Sequence, residues 1–473
     1  MRNGWRVRSL LIGLHVKRRR SELAFNLAAQ IICHYIVSPA REVIMSLYTF
    51  FLTLAAGSII TANIAFAAEQ LLPENLSSLI TTALINNPEL QSSQARWQMF
   101  VNKAGQTGLL DDPMIMFKLQ NMVAREPFSF SKDPLTAKVI GVSQQIPFWG
   151  KRALRQEAAR LEADSYQWAV AERRLELARM VKENYYRLYA VSRSLAVIEK
   201  NLGILDDFKA ITEAKYSLGQ GVQQDIFKAA LEKSRMLEMQ IIFLQQRKSL
   251  EASLNYLLSR PEDTPVGRIV DFALPEVTFS AEQLQAAAFE NRPQIKSLTS
   301  LAHRGEVSRR LAEKESYPDF NLAFEYMFRE ESMSDPGYNM YSLGVTFNLP
   351  LQRERRQAMA AEAISETTMA CEEMRALRNG IAFSITDLLS QMERRRRLVE
   401  LYQGGIIPQA EQSLESALIN YKVSKVDFLN VLNDRMTLFT YERELYESQA
   451  EYMMKQAELE AVVGVDLAEL KNK

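Results

Sequence analysis

The chain has 473 residues, 47% hydrophobic and 24% charged, with 57 Lys+Arg against 57 Asp+Glu. That is the composition of an ordinary folding chain and excludes a disordered or collagen-like polypeptide. Two cysteines, Cys33 and Cys371, exclude a disulfide framework and a cysteine metal cluster, and three histidines, His15, His34 and His303, leave almost nothing for a histidine-based site.

The first element in chain order is an export signal that starts late. Met45 to Ile60 (MSLYTFFLTLAAGSII) is a short apolar core preceded by Arg41, and Ala65-Phe66-Ala67 supplies a small-x-small cleavage pattern. The signal is placed at 45–67. Residues 1–44, with Lys17-Arg18-Arg19-Arg20, read as an upstream extension from an early start codon. Residues 1–67 hold eight of the Lys+Arg and two of the Asp+Glu, so the remainder carries 49 basic and 55 acidic residues, net −6. Such a balance argues against nucleic acid as a partner. No cysteine directly follows the cleavage site to carry a lipid anchor. Beyond the signal no run of about 20 apolar residues occurs, so no transmembrane helix is predicted in the mature body.

After a polar lead at 68–75, a helix is predicted from Leu76 to about Gly108, interrupted at Asn86-Asn87-Pro88-Glu89-Leu90. A counterpart begins at Ala281 and carries Asn291-Arg292-Pro293-Gln294-Ile295, 205 residues later. Proline removes a donor and clashes with the preceding turn, so each helix should kink or restart there. A strand–loop–strand unit follows, from Pro113 to Arg152. It reads DPMIMFKLQNM, a loop at Val123–Leu135 with Pro127, Asp133 and Pro134, then KVIGVSQQIPFWGKR. Its second copy reads YPDFNLAFEYMF, another polar loop, then YSLGVTFNLPLQRER. Pro113 matches Pro318 at an offset of 205, while Gly141-Val142 matches Gly344-Val345 and Pro147 matches Pro350 at 203. The chain is internally duplicated.

Period-two alternation is clearest in the second copy. Phe320, Leu322, Phe324, Tyr326 and Phe328 share one face of the first strand, and Tyr341, Leu343, Val345, Phe347 and Leu349 one face of the next. In the first copy Ile115, Phe117 and Leu119, then Ile140, Val142 and Ile146, do the same more weakly. Runs of about 9–11 alternating residues fit a membrane-spanning barrel strand. They equally fit a soluble two-hairpin sheet packed on helices, and the strands alone leave both readings open.

Lys151 to about Ser217 runs without proline, with Val181, Leu188 and Leu195 seven apart and Gly203 as a bend point. At about 1.5 Å per residue such a helix reaches roughly 100 Å, and its charges point to a coiled coil or a helical repeat rather than a membrane span. Ser217-Leu218-Gly219-Gln220-Gly221 turns it into a return helix from Val222 to Ser259. Arg260 to Ser280, rich in Pro and Gly, joins the two halves. The second half repeats the plan: a helix from Arg353 to Gln403, a break at Gly404-Gly405 and Pro408, a helix to Tyr421, a tip at Lys422–Lys425 and a return to about Val463. Tyr216 and Tyr421 mark equivalent places before the two tips. The resulting division is 68–260 and 281–465 as two repeats, 261–280 as linker and 466–473 as a polar tail.

Four strands cannot close a barrel alone, and open edges are not tolerated in lipid. An open pore built from this chain must oligomerise, three copies giving roughly twelve strands, with the long helices packed as a second cylinder below.

Export signal, duplication, strand pairs set in long helical hairpins and the GVSQQIPFWGKRALRQEA stretch resemble the TolC family of outer-membrane efflux channels over essentially all of residues 69–465. Within it, DPMIMFKLQNM and FSFSKDPLTAKVIGVSQQIPFWGKR are most similar to the branch serving heavy-metal exporters. The resemblance implies a mainly α fold with a membrane β-barrel: four strands per chain in a trimeric outer-membrane barrel, above long antiparallel helical hairpins forming a periplasmic tunnel. It also implies a homotrimer in outer-membrane lipid, extending into the periplasm and working with a periplasmic adaptor and an inner-membrane transporter. The expected role is the exit duct of a tripartite pump, with no enzymatic activity and no cofactor or metal centre. In such a barrel Phe320, Leu322, Phe324, Leu343, Val345 and Phe347 face lipid. Family members often read Asp-Val-Leu-Asp-Ala after the second tip, where the acids ring the periplasmic mouth; here the run is Asn430-Val431-Leu432-Asn433-Asp434. Amides replace two carboxylates, so the candidate gate set is Asp225 (the first-repeat equivalent of Asn430), Asp427, Asn430, Asn433 and Asp434. Packing of Asn430 and Asn433 between helices is the plain alternative. The tips Gly219, Gln220, Gly221 and Val222, with Val423, Ser424 and Lys425, are the expected adaptor-docking sites, besides simply reversing the chain.

No catalytic constellation is visible. His303 with Glu306 reads as surface, Cys371 as a small helix residue, and Arg394–Arg397 as a solvated helix face. Met114, Met116 and Met122 suggest soft-metal ligands, but methionine more often fills apolar gaps. The competing architecture is a soluble periplasmic coiled-coil scaffold or adaptor protein.

Overall fold

A computed structural model describes residues 75–126 and 128–470. The expected signal and upstream extension, the lead up to residue 74, Pro127 and residues 471–473 lie outside the described residues. The elements run α1 (Leu76–Asn86), α2 (Pro88–Thr107), β1 (Met114–Gln120), β2 (Ala137–Ile146), α3 (Lys151–Ser217) and α4 (Gln223–Leu258). Then come α5 (Ala281–Asn291), α6 (Pro293–Lys314), β3 (Phe320–Arg329), β4 (Met340–Phe347), α7 (Arg353–Leu401), a π turn (Tyr402–Ile406), α8 (Ile407–Lys422), α9 (Phe428–Val463) and α10 (Leu467–Leu470).

Both prolines restart helices where expected. Asn87 caps α2 by accepting from the N–H groups of Glu89 and Leu90 at 3.0 and 3.2 Å, while its Nδ2 donates to Leu257 O at 3.1 Å. At the equivalent place before Pro293, Arg292 instead donates to the carbonyls of Ala461 and Val462 and to Glu172 Oε1. One repeat anchors its break with an amide, the other with a guanidinium.

α3 is a single helix of 67 residues, about 100 Å long. Gly203 lies inside it without ending it. Its buried positions Ser194, Ile198, Asn201, Leu205, Phe208 and Thr212 alternate steps of four and three, a coiled-coil seam. Leu195, expected on that seam, is half-buried because the stripe passes through Ser194 and Ile198 instead.

In the second repeat the break expected at Gly404-Gly405 and Pro408 is no break. α7 passes through the π turn directly into α8, with Pro408 in the first turn after it. Between the strand end and the tip the second repeat has two residues more than the first, as the offsets show. The wide turn takes up inserted length without ending the helix.

The apolar core is strung along the rod in two clusters. One, centred on Tyr185, Tyr186, Tyr189 and Leu254, joins α1, α3, α4, α5, α7 and α9; the other, with Phe208, Met236, Tyr421 and Phe428, holds the two hairpins together towards their tips. The connection after α4 has neither helix nor strand, yet Val266 and Ile269 are buried in the first cluster. Asp271 there pairs with Arg193 and accepts from Tyr189 Oη at 3.0 Å. Residues 466–470 are likewise tied down: Leu467 is buried and Asp466 meets Lys182 at 3.4 Å.

The four strands form one antiparallel sheet in the order β1-β2-β3-β4. Register puts Ile115, Val142, Phe324 and Leu343 in one row and Phe117, Ile140, Tyr326 and Tyr341 in the next. Since side chains alternate, all eight share a face.

Candidate functional site

That face is apolar and bare. Phe117 is 77% exposed and Leu343 78%, and Ile115, Leu119, Val142, Leu322, Phe324, Val345 and Phe347 are exposed with them. Phe320 is half-buried, its ring centroid 5.7 Å from that of Trp149, which is itself exposed. A soluble sheet buries such a face against helices; none lies over this one. A contiguous apolar area this large on a surface marks an interaction with membrane or protein.

The opposite face mixes small and polar residues with Val139 and four methionines. One row reads Met116, Gly141, Glu325, Ser342, and its neighbour passes through Ser143, Ala323 and Gly344. Gly141 is closely packed: a Cβ there would sit 3.2 Å from both Glu325 Cγ and Met116 Cε. Lys118 lies 3.9 Å from Glu325 across the face. Met114 and Met116 are on this side with Met327 and Met340, whereas Met122 lies beyond the strand.

Below the sheet, where helices begin, a buried charge fixes the strands to the rod. Lys151, 1% exposed, donates to Asp319 Oδ1 at 2.9 Å, Glu315 Oε2 at 3.0 Å and Tyr317 O at 2.9 Å. Asp319 also accepts from the Phe148 N–H at 2.8 Å. Burial opposes ionisation of Asp319, but the hydrogen bonds from Lys151 and Phe148, with the charges of Lys151 and Arg155, prevail and hold its carboxyl below the usual carboxylate range. Around this node Phe148 stacks on Tyr317 with centroids 4.5 Å apart, and Lys314 lies over both rings.

At the other end the two hairpin tips adopt one backbone geometry. The Gln220 N–H reaches back to Lys215 O and the Lys425 N–H to Asn420 O, both at 2.9 Å, and each tip places one residue in the left-handed region. In the first repeat that residue is Gly219 (φ 69°), and in the second Ser424 (φ 59°). All seven expected docking residues lie at these adjacent tips, Gly221 and no other half-buried. Lys215 joins the tips: its Nζ donates to Tyr421 O at 2.5 Å and stands 4.0 Å above the Tyr421 ring.

The candidate gate residues fall into two groups. Asn430 and Asn433 are exposed on α9 with Leu429 and Thr437, one uncharged stripe at helical spacing that no helix of the same chain covers. Asp427, at the N-cap of α9, is exposed and lies close enough to Asp225 to act on its charge. Burial first, then the Asp427 charge, raises the pKa of Asp225, against the opposing pull of Lys228. Asp434 is turned away from this pair and accepts from Ser413 Oγ at 2.9 Å. Behind the stripe is a feature the sequence pattern did not flag. Arg435, buried, donates through Nε to Asn201 Oδ1 at 2.7 Å and faces Glu442 at 3.7 Å; burial lowers its pKa, with Glu442 and Glu411 resisting. Asn201, set between Ile198 and Leu205 on the coiled-coil seam, was the available signal.

The remaining charged candidates are surface features. Arg395 pairs with Glu451, Arg396 and Arg397 with Glu393, and His303 and Cys371 are exposed. Among the described residues no group of three or more His, Cys, Asp or Glu is arranged to hold a metal ion, and no helix is long and apolar enough to cross a membrane.

Residues 79–258 and 284–465 match the family model described as outer membrane efflux protein. The cobalt-zinc-cadmium resistance protein CzcC of Cupriavidus metallidurans is 23% identical over 304 residues, covering 62% of this chain and 69% of that protein. The outer membrane efflux protein BepC of Brucella suis is 21% identical over 407 residues, covering 84% and 86%. Among solved structures, the outer membrane protein VceC of Vibrio cholerae superposes with a TM-score of 0.70 at 17% identity, over 83% of this chain and 96% of that one. CusC, whose conformational changes accompany folding and transmembrane channel formation, gives 0.71 at 15% identity, over 84% and 93%.

Proposed function

The chain belongs to the outer membrane efflux protein family, and from that footing we propose how this particular chain forms its duct. It is an outer-membrane efflux channel. Three copies place their sheets edge to edge as a roughly twelve-stranded barrel, since four strands leave two edges that lipid does not tolerate. The α3–α4 and α7–α9 hairpins continue the barrel as a tunnel into the periplasm. Residues 68–260 and 281–465 act as two copies of one structural unit, each giving one strand pair and one hairpin.

The observation that carries this reading is the exposed apolar face of the sheet, with its more polar reverse. Phe320, Leu322, Phe324, Leu343, Val345 and Phe347 meet lipid hydrocarbon, and the Glu325 face lines the water-filled side. A soluble scaffold would have to leave the apolar face in water, a cost of roughly 25 cal/mol per Å².

At the tips, Gly219–Val222 and Val423–Lys425 receive the periplasmic adaptor, which links the duct to an inner-membrane transporter. Asp225 and Asp427, with the Asn430 and Asn433 stripe, line the mouth. Cargo passes without chemical change, so the chain has no enzymatic role. Heavy-metal cations are the favoured cargo, supported by the similarity to CzcC.

The test compares metal and drug tolerance of the native bacterium with and without this protein. Sensitivity to divalent transition metals, restored by the wild-type chain, supports the cargo assignment. Sensitivity to organic toxicants alone reassigns the cargo, and recovery of the protein in the soluble periplasmic fraction contradicts the channel.

A further inference from the structure

The two open edges of the sheet carry complementary charge that the single chain leaves unused. Just before β1, Asp111 and Asp112 are exposed and have no ion-pair partner among the described residues. Just after β4, at the start of α7, Arg353 and Arg355 are exposed and Arg356 half-buried, again with no side-chain partner among the described residues. Other cations at this end are engaged: Lys151 and Arg155 with Glu315, Arg310 with Glu157, and Arg152 with Gly108 O.

Within one chain the two groups cannot meet. β1 and β4 are the opposite edges of the sheet, three strand spacings or about 14 Å apart. Both groups nevertheless lie at the same rim, because β1 begins and β4 ends on the helix side. Antiparallel alternation makes β4 of one copy a matching neighbour for β1 of the next. Keeping Ile115, Phe117 and Leu119 on the same face as Leu343, Val345 and Phe347 restricts the junction to registers that differ by two residues.

We propose that Asp111 and Asp112 of one copy pair with the Arg353–Arg356 cluster of the next and latch each barrel seam at its periplasmic rim. Arg353 and Arg356, three apart, share a helix face and present two guanidiniums to the acidic pair. Glu354 lies between them in sequence and is a like charge the acidic pair must avoid. The latch rests on the ring described under the proposed function.

The full chain in detergent tests it by charge reversal. Asp111→Lys with Asp112→Lys should lower the melting temperature of the oligomer by several degrees, as should Arg353→Glu with Arg356→Glu. All four together should recover at least half of the loss, and Asp112→Cys with Arg353→Cys, in a Cys371→Ser background, should give disulfide-linked dimers and trimers. An intact trimer whose melting is unchanged by both reversals overturns the latch and leaves the ring standing. A wild-type protein that is monomeric by light scattering overturns the ring itself. Loss from the arginine reversal alone, abolished when anionic phospholipid is omitted, assigns those cations to lipid headgroups and also overturns the latch.

Discussion

Lys215 Nζ lies 2.5 Å from Tyr421 O and 4.0 Å above the Tyr421 ring, so the last turn of the first hairpin's outgoing helix holds that of the second. A charge-assisted bond to a helix C-terminal carbonyl combines with a cation–π contact. Lys215→Met should cost about 1 kcal/mol locally, seen as faster amide hydrogen exchange over residues 217–222 and 423–427 with exchange near Tyr189 unchanged. Equal exchange at the tips would show that they are held by other contacts.

The uncharged stripe on α9 has an electrical consequence. At the proposed mouth, three symmetry-related copies of Asn430 and Asn433 would present amides where carboxylates would attract cations and repel one another. Asn430→Asp with Asn433→Asp should shift the reversal potential of the reconstituted channel towards greater cation preference at low salt, an effect that fades as salt screens it. An unchanged reversal potential would remove these positions from the gate.

Lys151 and Asp319 predict the response to acid. The folded-state pKa of Asp319 is depressed, so its contribution is present above its unfolded value, near 3.9, and is lost as pH falls through the lower folded value. Melting followed from pH 5 downwards should therefore fall less steeply in Asp319→Asn than in wild type. Lys151→Met removes the buried counter-charge of Asp319, leaves Glu315 with Arg155 alone and should cost about 3–5 kcal/mol. Its acid dependence should also flatten, because protonating Asp319 then relieves a penalty.

The π turn offers a substitution expected to gain stability. A Cβ added at Gly404 meets nothing within 4 Å, so Gly404→Ala should stabilise the α7–α8 rod by about 0.5–1 kcal/mol through the loss of glycine's conformational entropy. Destabilisation measured by thermal unfolding would mean that the turn straightens or shifts in the assembled protein.

How far the sequence carried depends on the kind of interaction. Strand and helix limits were legible because alternation and proline placement are local: β3 starts at Phe320, and α2 and α6 restart at Pro88 and Pro293. The π turn was missed because Gly404-Gly405 and Pro408 are a stop signal in any local reading, and only the length of the paired hairpin makes the helix continue. Burial of Val266 and Ile269 was missed because a Pro- and Gly-rich stretch carries no periodicity to show which residues point inwards. Of the candidate gate, the family resemblance pointed to Asn430 and Asn433, and the repeat offset added Asp225. The sequence left open whether Asn430 and Asn433 face outwards, and it gave no sign that Asp225 and Asp427 would come close, since that depends on how two hairpins 200 residues apart are docked.

The most direct measurement uses a fluorophore on single cysteines in a Cys371→Ser background, at Leu343→Cys or at its strand neighbour Ser342→Cys, in vesicles with brominated acyl chains. Strong quenching at position 343 and little at 342 is the result expected if the apolar face meets hydrocarbon and its reverse lines water. Equal quenching at both positions, or quenching at neither, would contradict the barrel and with it the duct.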